Sequence, residues 1–267
     1  MPGSVQLLTE RSRTGVLRLT INDPERRNPL STTLFESLEA AVRSIPGDVR
    51  VLVLTGAGDE VFASGADLSE LGQPRGKGLG GGFGDAMESA QAAIEACPAP
   101  VVARIQGHCL GAGYQLALAC DLRVAVDTAR MGVPASRFGL LPGPVHHRRM
   151  IQQLGPQVTR VLMLTGRSFS GDEALRAGLV DFSYPREALD AGVEALCDDI
   201  IAGAPITVRN AKRMVNRLLE MDASDAEVDQ ATRAELQGLS DEAHRSEDVR
   251  EGLAAFFERR KPDFKGR

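Results

Sequence analysis

Two stretches of this chain bring a glycine-flanked backbone to a sharp corner. Residues 55–68 read TGAGDEVFASGADL and follow an apolar run over 49–55; residues 105–121 read IQGHCLGAGYQLALACD and lead from an apolar run into a helix. Corners of this kind present backbone N–H groups, and small residues there let a ligand approach the main chain closely. Two such donors aimed at one oxygen stabilise negative charge developing on it, by about 3 kcal/mol per donor in known oxyanion holes. The two stretches therefore look like the halves of an oxyanion hole. Each corner alone also fits an ordinary strand-to-turn connection. A dinucleotide-binding fingerprint fails in detail, because GAGYQL lacks the third glycine and the acidic Asp127 comes too early. A phosphate-binding P-loop fails outright, since no Gly-Lys-Ser/Thr follows Gly56 or Gly58.

Composition narrows the partners. The chain has 267 residues, 43% of them hydrophobic and 25% charged, ordinary values for a globular protein with a sizeable core. Its net charge of −5, with basic residues scattered among acids, argues against nucleic acid. No run approaches the ~18 apolar residues that span a bilayer, and MPGSVQLLTERSR has no apolar signal core, so a cytoplasmic protein without membrane partners is expected. Cys97, Cys109, Cys120 and Cys197 form no CxxC pair and have no His at ligand spacing, which predicts buried thiols rather than zinc or disulfides. His146 and His147 point about 100° apart on a regular helix and so do not serve one metal together. No metal is expected.

The elements that must position the corners alternate. Residues 5–9 and 16–21 read as a β-hairpin around Thr14-Gly15, at the edge of a sheet. Ser31 opens an amphipathic helix to about residue 44, and a strand over 49–55 follows the turn signal Pro46-Gly47. Helix 85–96, strand 101–105, helix 111–119 and strand 122–126 continue the rhythm, as a parallel sheet with helical crossovers requires. Beyond about residue 167 the pattern turns helical, over 171–177, 187–202, 205–220, 226–239 and 246–260, with Pro205 at a first turn. Between them lies 72–84, with seven glycines, a proline and two basic residues, readable as a connector or as a lid over a neighbouring pocket.

The ordered pair of corners, the proline-flanked strand between them and the C-terminal GLAAFFERRKPDFKGR resemble the crotonase (enoyl-CoA hydratase/isomerase) superfamily over nearly the whole chain. The resemblance implies an α/β fold, a spiral of ββα repeats over residues 1–200 followed by a C-terminal helical oligomerisation tail over 201–267. It implies a homotrimer or homohexamer and an acyl-CoA thioester as the small-molecule partner, with CoA part of the substrate and no separate cofactor. Carried over position by position, the oxyanion donors are the N–H groups of Ala66 and Ala112, the latter following Gly111 at a helix N-terminus. Arg26 and Arg27 in DPERRNPLS, together with Asp67, Leu68 and Ser69, correspond to residues lining CoA. Phe256 and Lys261 correspond to tail residues that reach toward CoA, commonly across subunits.

The chain departs from the family's hydratases where proton chemistry is done. Gln115 and Ala135 stand where the two catalytic glutamates are usual. Hydration of an enoyl thioester needs carboxylates to activate a water and protonate the α carbon; an amide orients water without taking its proton, and alanine does neither. A thioester enolate remains accessible, but efficient hydration is not expected. Isomerisation, decarboxylation and thioester hydrolysis need fewer carboxylates, and a non-catalytic acyl-CoA-binding or regulatory protein is the alternative. His146 is the candidate replacement acid or base, although His146 and His147 read equally as surface residues of a basic helix beside Arg148 and Arg149. His108, Tyr114 and Arg137 are weaker candidates, and Asp121 reads as structural.

Overall fold

The computed structural model describes residues 6–71, 82–221 and 230–267. A hairpin of β1 (Gln6–Arg13) and β2 (Val16–Asn22) leads through the two-residue strand β3 (Pro29–Leu30) into α1 (Thr32–Arg43). Then come β4 (Val51–Gly56), β5 (Val61–Ala63), β6 (Gly65–Ala66), α2 (Leu68–Leu71) and α3 (Phe83–Ala96). The next turns hold β7 (Val101–Ile105), β8 (His108–Leu110), α4 (Ala112–Ala117), β9 (Leu122–Val126) and β10 (Arg130–Gly132). They are followed by α5 (Pro144–Thr165), β11 (Phe169–Ser170), α6 (Gly171–Arg176) and β12 (Phe182–Tyr184). The tail is α7 (Leu189–Ala202), α8 (Pro205–Glu220), α9 (Gln230–Arg245) and α10 (Glu247–Glu258).

The topology is a spiral. One sheet has the order β1-β2-β4-β7-β9-β12 and a second the order β11-β10-β8-β5, so each successive turn adds one strand to each. From β2 to β12 the large sheet is parallel, and only β1 is antiparallel at its edge. Parallel strands covered on both faces carry continuous apolar sequence, and VLVLTG of β4 is buried along its whole length. The Ser31 hydroxyl accepts the Leu34 N–H at 3.1 Å and caps α1, whose Phe35 meets Phe83 of α3 edge to face at 5.4 Å. Strands 101–105 and 122–126 lie where the sequence predicts them. The second sheet is absent from the sequence-based expectation, because strands of two or three residues are too short to show a period of two.

Helix α8 is fastened to the spiral by a buried ammonium. Lys212 Nζ lies 2.7 Å from Asp121 Oδ2, 3.0 Å from Ile94 O and 3.2 Å from Ala99 O, which satisfies all three of its protons. Asn216 adds a bond to Glu95 O at 2.8 Å, and Asn210 Nδ2 reaches Leu239 O of α9 at 2.9 Å. The last residues fold back onto α10, where Asp248 accepts the N–H groups of Lys265 and Gly266. Of the expected lid over 72–84, residues 72–81 lie outside the described residues, as does the start of the helix expected over 226–239.

Candidate functional site

The two corners meet. Gly65 closes the turn into β6 at φ 121°, and Gly111 precedes α4 at φ 55°, backbone conformations that favour a residue without a side chain. A methyl group placed on Gly65 would lie 3.4 Å from Leu110 O and 3.9 Å from the Ala112 nitrogen; one on Gly111 would lie 3.6 Å from Gly65 Cα. These are ordinary van der Waals distances, so the two corners abut, and it is the positive φ at each glycine that disfavours a side chain. The Asp67 N–H donates to Leu30 O at 2.7 Å, with Leu30 in register with Ala66. Alternation along the strand turns the Ala66 N–H away from β3. On the other corner the first intrahelical bond of α4 runs from Gln115 N–H to Gly111 O, at 3.1 Å, which leaves the Ala112 N–H without an intrahelical acceptor.

Both alanines line a cavity of about 870 Å³. Its walls also carry Gly111, Gln115, Ala135 and His146, so the structure gathers the residues that the sequence singled out on separate segments. Apolar surface comes from Phe83, Met87, Val133, Phe138, Leu140 and Leu141. Gln115 is 2% exposed; its Nε2 lies 3.7 Å from Met150 Sδ, and its Oε1 has no partner among the described residues. A buried polar chain holds the backbone beside it. Gln91 Nε2 donates to Gln115 O at 2.9 Å, Arg149 donates to Gln91 Oε1 at 2.7 Å, and Arg149 Nε donates to Glu95 Oε1 at 2.6 Å. Sequence reasoning missed this chain and read Arg149 only as part of a basic helix, whereas its guanidinium is buried.

His146 enters the cavity wall, while the half-buried His147 turns its Nδ1 to within 3.2 Å of Gly143 O. Burial, reinforced by Arg149 and His147, lowers the His146 imidazole to about 4, so the ring is neutral at pH 7. Its Nε2 is 3.8 Å from Glu88 Oε1, and its Nδ1 has no partner among the described residues. With a neutral ring and a separation outside hydrogen-bond range, this contact is not an ion pair. Tyr114 is fully buried and donates to Leu179 O at 3.0 Å, a structural role. His108 accepts the Arg130 N–H on the exterior, and neither His108 nor Arg137 lines the cavity. Asp121 is structural, held by Lys212 and bonded to the Val101 N–H at 2.7 Å.

At the cavity wall Arg26 pairs with Asp23 at 2.6 Å and with Asp67 at 3.2 Å. The Ser69 hydroxyl, its N–H and Arg26 hold the Asp67 carboxyl below its ordinary range. Leu68 lines the cavity and is 61% exposed. The remaining sequence-singled residues lie elsewhere. Arg27 is exposed off the cavity, where its charge acts on His108, and Ser69 reaches the cavity only through Asp67. Phe256 and Lys261 are exposed in the tail and do not line the cavity of their own chain. Among the described residues no cluster of three or more His, Cys, Asp or Glu is placed to hold a metal, and no helix is long and apolar enough to cross a membrane.

A spiral of paired parallel strands whose two glycine corners converge on one cavity defines the crotonase class of fold. The family model "Enoyl-CoA hydratase/isomerase" matches residues 11–267, and the chain belongs to that family. It is 33% identical over 254 residues to the Escherichia coli protein named 2,3-dehydroadipyl-CoA hydratase, covering 94% of this chain and 96% of the relative. It is 32% identical to the short-chain-enoyl-CoA hydratase of Clostridium acetobutylicum over 253 residues, 93% of this chain and 94% of that one. The crystal structure of an enoyl-CoA hydratase from Bacillus anthracis superimposes with a TM-score of 0.89 at 30% identity, covering 98% of this chain and 99% of that one.

Proposed function

We propose that the protein binds an acyl-CoA thioester and acts on it through a thioester enolate held by the Ala66 and Ala112 N–H groups, and that it is not an efficient hydratase. The observation that carries this reading is the abutment of Gly65 on Gly111 and Ala112 at the wall of the 870 Å³ cavity. A thioester oxygen placed between the corners accepts both N–H bonds, and each bond strengthens as charge moves onto that oxygen. The donors belong to backbone fixed in a sheet and in a helix start, so they need no reorganisation during the reaction.

Proton transfer is where the site is poor. Gln115 and Ala135 both face the cavity, and neither supplies a proton or accepts one. His146 is neutral, so a ring nitrogen is available to accept a proton, but with its pKa lowered to about 4 by burial it is a weak base. Isomerisation, decarboxylation or thioester hydrolysis fits this set better than addition of water. The same two replacements favour a second reading, an acyl-CoA-binding or regulatory protein that retains the pocket without turnover.

Calorimetry with acetoacetyl-CoA and with acetoacetate tests the binding step. The thioester should bind more tightly than the free acid; equal affinity, or no binding of the thioester, would remove the proposal. Turnover assays on a panel of acyl-CoAs separate the enzyme from the binding protein.

A further inference from the structure

We infer that the end of the cavity beside the N-terminus of α5 receives the acyl group, selects uncharged chains and rejects those ending in a carboxylate, through Glu88 over that helix N-terminus and Asp85 on the cavity wall. This inference rests on the acyl-CoA reading above and specifies its substrate class. A helix N-terminus facing a cavity is ordinarily where a ligand carboxylate would dock. Here the first turn of α5 lines the cavity through Gly143 and His146, yet a carboxylate of the protein already stands over it. Glu88 Oε1 lies 3.6 Å from where a methyl on Gly143 would be, and 3.8 Å from His146 Nε2. Pro144 at the first helical position supplies no N–H for a second anion.

The surrounding charges point the same way. Asp85 lines the cavity one turn before Glu88 on the same face of α3. His146 contributes no positive charge at pH 7, and its unpartnered Nδ1 is 95% buried with the residue. Arg149, one turn further along α5, is engaged by Glu95 and Gln91. Among the described residues the lining therefore sets one guanidinium, Arg26, against the carboxylates of Asp67 and Asp85, with Glu88 beside them. A carboxylate at the chain end would meet like charge with no unpaired cation among the described lining residues to receive it, and specificity arises from that repulsion rather than from a new attraction.

The test compares hexanoyl-CoA with adipyl-CoA, equal in chain length and different only in the terminal carboxylate, by calorimetry on the full chain at pH 7.5 and low salt. Wild type should bind hexanoyl-CoA more tightly by about tenfold or more. In the variant Asp85→Asn with Glu88→Gln, which keeps side-chain shape, the ratio of the two affinities should fall to within about threefold. Equal affinities in wild type, or a ratio unchanged in the variant while hexanoyl-CoA still binds, would overturn the selectivity alone. Failure of both thioesters to bind would instead remove the acyl-CoA reading, and this inference with it.

Discussion

Restoring the two missing carboxylates is the perturbation that tests the site most severely. Gln115→Glu is isosteric, so the buried side chain at 2% exposure keeps its packing and loses only the long Nε2 contact to Met150 Sδ. With no partner for Oε1 among the described residues, burial should raise the new carboxyl toward neutrality and make it a proton donor as well as a base. Ala135→Glu projects from a position lining the open cavity, where the longer side chain has room. General acid and base groups contribute about 10² to 10⁴-fold each, so the double variant should hydrate crotonyl-CoA at least about 10²-fold faster than wild type. Each single change should do less, since both groups act on one water. The assay is loss of the enoyl thioester chromophore. Ala112→Pro in the same background is the control. Proline is tolerated at a first helical position, and Gly111 at φ 55° and ψ −125° has the mirror image of an extended conformation, open to an achiral residue before proline. Deleting that one N–H should cost about 3 kcal/mol of transition-state stabilisation, roughly 10²-fold. Fast hydration by wild type with no loss in Gln115→Ala would refute the reasoning, as would a folded, thioester-binding double variant with no gain.

The remaining predictions concern His146, Lys212 and the tail. The His146 imidazole sits at about 4 in the folded chain against an ordinary 6.5, so as pH falls from 6.5 to 4 the unfolded chain takes up a proton that the folded chain refuses. Its share of the acid destabilisation should reach about 3 kcal/mol by pH 4, and His146→Gln should flatten the urea-unfolding profile in that window; parallel profiles would contradict it. Lys212→Met leaves Asp121 buried without its cation and should cost about 3 kcal/mol in denaturant unfolding, whereas a loss below about 1 kcal/mol would mean that the pair does not fasten α8. Leu253, Phe256 and Phe257 of α10 are 57%, 77% and 79% exposed, an apolar face suited to a second copy, so sedimentation at micromolar concentration should give a trimer or hexamer rather than a monomer.

What the sequence disclosed and what it concealed follow from the range of the interactions involved. The Ser31 cap, the turn at Pro46-Gly47 and the mostly apolar strand 101–105 are local, and each stands where local reasoning puts it. The corners were legible because their glycines are required by backbone conformation alone, at Gly65 and Gly111. The small sheet was concealed, because its strands are held by pairing between distant segments and carry too few residues for a pattern. The choice between His146 and His147 depends on the phase of α5 against the spiral, which sequence spacing does not set. The chain from Glu95 through Arg149 and Gln91 to the α4 backbone joins three separate segments, and a buried arginine looks the same in sequence as a solvated one.

The central claim is that two backbone N–H groups polarise a thioester carbonyl, and an infrared difference spectrum of bound acyl-CoA carrying ¹³C at the thioester carbon measures it without presuming any reaction. The carbonyl stretch should move to lower frequency on binding, and Ala112→Pro, which removes one donor, should return part of that shift. A bound thioester whose carbonyl absorbs at its solution frequency would contradict the account, because the ligand would then occupy the cavity without engaging the corners.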